Sequence, residues 1–141
     1  MLGENRGQIS LEYLLIFSIS LIVLVVFTLP LLEFGVENTL DVSDSLKVKS
    51  DLSKISSAVS QVYAEGQGSR QTVHIQSDKS IKVSIDENHL STNLKLNDNS
   101  NKLIKTQHSS NLEKSSINLK KGNNFIVVEW PVGSENVQIH F

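Results

Sequence analysis

The residue whose type and place most demand a chemical explanation is Glu12. It sits at the edge of an uncharged run from Tyr13 to Leu32, and the next charge along the chain is Glu33. A carboxylate at that position has two ways to be stable. It can lie in a lipid headgroup layer, where the cost is about 0–1 kcal/mol, or it can face a positive group inside an assembly, where leaving it unpaired would cost several kcal/mol. Both readings are electrostatic: a carboxylate in the headgroup layer, or one half of an ion pair. The other candidates for chemistry are scattered. His74, His89, His108 and His140 show no ligand spacing, so no metal site is expected. Asp86-Glu87 reads as the wet end of a strand more simply than as half of an acid/base pair. The turn Asn97-Asp98-Asn99-Ser100-Asn101 lacks the leading Asp, central Gly and distal Glu of a calcium loop. Neither a glycine-rich phosphate loop nor a serine nucleophile elbow is present, and with no cysteine there is no disulfide or thiol chemistry. No catalytic group and no cofactor is expected.

The elements that would position Glu12 are legible. Twenty uncharged residues at helical rise span roughly 30 Å, the hydrocarbon thickness of a bilayer. Ser18, Ser20, Thr28 and Pro30 are the only interruptions. The run is too long for a secretory signal core, and Leu31-Leu32-Glu33-Phe34 offers no small-residue cleavage site. An ordinary signal anchor explains the length but gives Glu12 no role.

The stretch Gly7-Gln8-Ile9-Ser10-Leu11-Glu12-Tyr13-Leu14-Leu15 resembles the class III signal peptide of archaeal type IV pilin-like proteins, in the form found in methanogens. The resemblance implies cleavage between Gly7 and Gln8 by a membrane prepilin peptidase on the cytoplasmic side. The motif positions are Gln8, Ser10, Glu12 and Leu15. It implies a helix that stays on the mature chain, first in membrane lipid and then, through the pilus assembly machinery, against copies of itself or other pilins. It implies that Glu12 registers each incoming subunit by pairing with a neighbour's terminal amine. A terminal Gln8 can cyclise and lose that charge, in which case Glu12 needs another donor. The function implied is a structural subunit of an archaeal surface filament used for adhesion, located in the cell membrane with a cytoplasmic N-terminus and on the cell surface. An uncleaved single-pass anchor whose extracellular β domain binds a wall component or ligand, and a minor pilin or pseudopilin, are the alternatives.

The expected organisation is a leader over 1–7, an apolar membrane and filament-core helix over 8–34, an amphipathic helix over 35–66 and a β-rich head over 67–141. The spacing of Val36, Leu40, Val48, Leu52, Ile55, Val59, Val62 and Tyr63 predicts the amphipathic helix, and Gly66 and Gly68 its end. A break near Pro30 or Gly35 is an open alternative. Beyond Gln71 the period falls to two, which predicts six or seven short antiparallel strands. Ser77–Ser80 reads as a hairpin turn, and 125–130 as the central strand. Leu103 is placed in the core. The fold class is α+β, a long N-terminal helix packed on an antiparallel sheet or small sandwich. With net charge −2 and no dense Lys/Arg stripe, no nucleic-acid partner is expected. No Asn-X-Ser/Thr acceptor occurs, so N-linked glycosylation is not expected.

Overall fold

The structure is a computed structural model. It describes residues 4–108 and 110–141, with side chains from residue 10 onward. One α-helix, α1 (Glu4–Glu65), is followed by seven strands: β1 (Arg70–Ser77), β2 (Ile81–Ile85), β3 (His89–Lys95), β4 (Asn101–Gln107), β5 (Ser115–Leu119), β6 (Gly122–Glu129) and β7 (Gln138–His140). Every strand pairing is antiparallel, and the class is α+β. The chain divides into two compact units, Met1–Leu40 and Asp41–Phe141.

The helix runs through Pro30 without a break in assignment. Ser and Thr hydroxyls turn back on the helix itself. Ser18 donates to the Leu14 carbonyl at 2.8 Å, and Thr39 to that of Gly35 at 2.8 Å. The helix ends where Gly66 takes a left-handed φ of 92° and its N–H reaches the Val62 carbonyl at 3.1 Å. Ser69 Oγ donates to the same carbonyl at 2.8 Å, which closes the cap.

In the second unit, Ser45, Val48, Leu52, Ile55, Val59 and Val62 are all buried. Their three- and four-residue spacing draws one stripe along the helix, as the amphipathic pattern predicts. The stripe is shorter than expected, because Val36 and Leu40 are more than half exposed. It packs with strand residues into one core that includes Ile75, Val83, Leu94, Ile117 and Ile126. Polar clips hold the same helix segment. Ser56 Oγ donates to the Gln107 carbonyl at 2.7 Å, and Asp41 accepts both the backbone N–H and the side-chain amide of Asn97 at 2.9 Å. Asp51 and Lys54 pair one turn apart at 3.2 Å.

The strands form two sheets, one ordered β1-β6-β7 and the other β4-β3-β2-β5. β6 is central in the first, as its apolar sequence predicts. Two turns do something other than the hairpins their composition indicates. Ser77–Ser80 joins β1 in one sheet to β2 in the other, and Lys120-Lys121 joins β5 to β6 the same way. β1 pairs with β6 and β2 with β5, so residues 70–85 and 115–129 are the two arms of one ribbon that bends from sheet to sheet. The register runs Ser77↔Gly122 on one side of the bend and Ile81↔Leu119 on the other. The first arm thus carries one extra residue through the corner, a bulge that turns the ribbon. Gly122 supplies a φ of 105° there. Asn124 is buried and staples the corner, accepting from Lys120 N–H at 2.9 Å and donating to the carbonyls of Lys120 and Gly122.

Leu103 is a correction to the expected core. It is 53% exposed, while its neighbour Ile104 is buried opposite Thr92. Leu90 and Leu112 also join the core.

Candidate functional site

Every large apolar side chain from Leu11 to Phe34 is exposed within the chain, and the least exposed, Val25, still shows 42%. Leaving such side chains in water costs about 1.5–3 kcal/mol each, on the order of tens of kcal/mol for the segment. Water is therefore not its host. The helix is long and apolar enough to cross a membrane, and none of its apolar window is buried by the rest of the chain. Two hydroxyls inside the run are internally satisfied, those of Ser18 and Thr28, the latter donating to the Leu24 carbonyl. They therefore add little cost in a surrounding without hydrogen-bonding partners. The surface this segment offers is almost purely dispersive, made of branched and aromatic side chains.

Glu12 is exposed on this helix, with Ser10 and Leu15 exposed beside it. The described helix runs from Glu4, so Glu12 lies at least about two turns inside it, beyond the first turn in which the N-terminal dipole favours an anion. The dipole thus gives the carboxylate little support there. If the chain began at Gln8, the helix start would move to within about one turn of Glu12. Gly7 and Gln8 lie in the helical backbone, and their side chains lie outside the described residues, as do Met1 to Gly3 entirely. Glycine costs a helix about 1 kcal/mol relative to alanine, so the helix opens more readily at Gly7 than at an ordinary residue.

In the second unit His89 and His108 come together beside Asp86, while His74 and His140 lie on other strands. His74 sits tilted against Phe125 with ring centroids 4.9 Å apart, His89 meets Asp86 at 3.1 Å and His140 meets Glu129 at 3.0 Å. His108 is buried. Its Nε2 lies 3.2 Å from the Asp86 carbonyl and its Nδ1 3.2 Å from Ser110 Oγ. Burial pushes its pKa below the usual 6.5, and its hydrogen bonds only partly offset that. Among the described residues no three His, Cys, Asp or Glu gather as a metal site would require.

A groove of about 380 Å³ lies between the helix and the β1–β2 corner, lined by Asp44, Lys47, Asp51, Lys54, Asp78 and Lys79 among others. Its charges answer one another. Lys47 bonds Asp78 at 2.7 Å and Lys79 bonds Asp44. The hydrogen bond, then the opposite charge, raises the pKa of Lys47 and lowers that of Asp78. These cross-element pairs were not readable from the sequence, because each partner looked like an ordinary solvated residue more than thirty positions from the other.

No curated protein and no solved structure matches the chain. The class III signal peptide family matches residues 5–31, which takes in Gly7, Gln8, Ser10, Glu12, Leu15 and most of the uncharged run. This signal peptide, and the uncovered apolar helix that carries it, support a type IV pilin-like protein.

Proposed function

We propose that this chain is a structural subunit of an archaeal type IV pilus-like surface filament that attaches cells to surfaces. The observation that carries the reading is the class III signal peptide at residues 5–31 on a helix whose apolar side chains nothing in the chain covers. A prepilin peptidase hydrolyses the Gly7–Gln8 bond. Water adds across it, leaving a carboxylate on the leader and an amine on Gln8. Before the cut, lipid hosts Tyr13 to Leu32, with the N-terminus on the cytoplasmic side. Afterwards, helices of neighbouring subunits take the place of lipid, and only the register that gives Glu12 a positive partner avoids a buried lone charge. The chain acts as a building block and not as an enzyme.

N-terminal and intact-mass analysis of membrane and sheared-filament fractions tests this. A chain beginning at Gln8 in the sheared fraction is expected, and Gly7→Val should abolish the mass change. A full-length chain confined to membranes would instead make it an uncleaved anchor.

A further inference from the structure

The two sheets differ sharply in charge. Strands β2 to β5 carry Lys82, Lys95, Lys102 and Lys105 and not one Asp or Glu, in a chain whose net charge is −2. Elsewhere four lysines are answered by carboxylates, Lys47, Lys54, Lys79 and Lys114, while Lys49, Lys120 and Lys121 stand outside these strands without such a pair among the described residues. Among the described residues no ion pair involves Lys82, Lys95 or Lys105. All three are exposed. In β2 and β3 the alternation of buried and exposed positions puts Lys82 and Lys95 on the face turned away from the core, and Lys105 follows the buried Ile104 on the same side. Lysines on edge strands blunt edge-to-edge pairing, and those of β4 serve that end. Lys82 and Lys95 lie on the inner strands β2 and β3, where no edge needs guarding.

The groups between these charges are hydroxyls and amides, with one apolar side chain, Leu103, exposed among them opposite Asn93. One cross-strand row reads Lys105, Ser91, Ser84, Ser116 over all four strands, and Lys82 pairs with Asn118 in the next. With neighbouring strands about 4.8 Å apart, the Lys82 and Lys105 backbones stand roughly 12 Å from each other, so one extended polymer can touch both. No Phe, Tyr or Trp lies in β2 to β5, so the face has no ring on which a nucleobase could stack.

We propose that the outer face of the β4-β3-β2-β5 sheet is a binding surface for an acidic polysaccharide. Lys82, Lys95 and Lys105 meet its carboxylates, and the exposed Ser84, Asn93, Ser116 and Asn118 side chains meet its hydroxyls, while Ser91 in the same row is buried. The face belongs to the β-rich unit and would act on a filament or on an anchor, so failure of the filament reading leaves it standing.

Binding of the full-length chain in non-ionic detergent to polygalacturonate tests it, with neutral dextran and duplex DNA as comparisons. The chain should bind polygalacturonate and not dextran. The triple variant K82Q/K95Q/K105Q should lose about tenfold in affinity, as three screened ion pairs of modest strength would. K49Q/K120Q/K121Q, with the same charge change elsewhere, should stay within about twofold. All six substitutions are at exposed positions, and an unchanged melting curve confirms the fold. No binding of polygalacturonate, an equal loss in the second triple, equal binding of dextran, or binding of DNA as strong as that of polygalacturonate would each overturn the proposal.

Discussion

At the scale of single residues, Glu12 and His108 are opposite cases of an ionisable group in an awkward place. Glu12 is uncovered within the chain, and under the proposed function its partner comes from a neighbouring subunit. Glu12→Ala is expected to leave membrane insertion and cleavage intact, since neither needs the charge, while sharply reducing incorporation into sheared filaments. Quantitative blotting of membrane and filament fractions checks this, and normal incorporation would remove the pairing role. His108 is buried, with His89 beside it. Its folded pKa lies below the unfolded 6.5, so the unfolded chain takes up the proton first. The contribution of neutral His108 to stability is therefore complete above about pH 6.5 and is lost as pH falls through the folded value. Denaturation midpoints should drop across that window and drop less in His108→Gln. Asp78 and Asp98, whose pKa values lie below the usual 3.8, titrate in a lower window and do not blur this one.

At the scale of elements, the ribbon corner decides how the head is built. Asn124 makes three hydrogen bonds to backbone groups there, and Gly122 holds a φ that other residues resist. Asn124→Ala leaves those groups without partners and should cost about 1–3 kcal/mol. Gly122→Ala meets nothing within 4 Å of the added carbon, so only backbone strain opposes it, about 1–2 kcal/mol. Chemical denaturation of the two variants measures both losses, and no loss in Asn124→Ala, or a loss in Gly122→Ala well above about 2 kcal/mol, would contradict this account. The corner also shows where the sequence stops being informative. Ser77-Asp78-Lys79-Ser80 has the residues of a turn, and a turn is there. Composition reports local bending and not which sheet follows it; the partners of β1 lie some fifty residues away in β6. The helix was easier, since its signal is a local period. Even so, the stripe fades at Val36 and Leu40, where the apolar period goes on but nothing within the chain covers it. Leu103 and Ile104 are adjacent and both apolar, so a period of two cannot choose between them. Pairing with Thr92 chooses Ile104.

At the scale of the whole molecule, the chain combines a segment that needs a host with a unit that supplies its own core. The signal motif and the apolar run were legible because their chemistry is written in consecutive residues. The cationic sheet face was not, because its lysines come from three strands and are brought together only by pairing. The same pairing makes the second unit all-or-none. A chain cut before Gly122 lacks the central strand of the first sheet and should stay unfolded, with no protease-resistant fragment; a stable core on limited proteolysis would contradict this.

The bent ribbon has a consequence in time as well as in space. The meander from β2 to β4 can zip up from local contacts, but β1 must wait for β6, close to the end of the chain. Non-local closure of this kind is slow. The first sheet of the second unit therefore stays unformed until β6 has been made. Under the proposed function this unit crosses a membrane and gains from that delay, because what has not yet folded can still be threaded through.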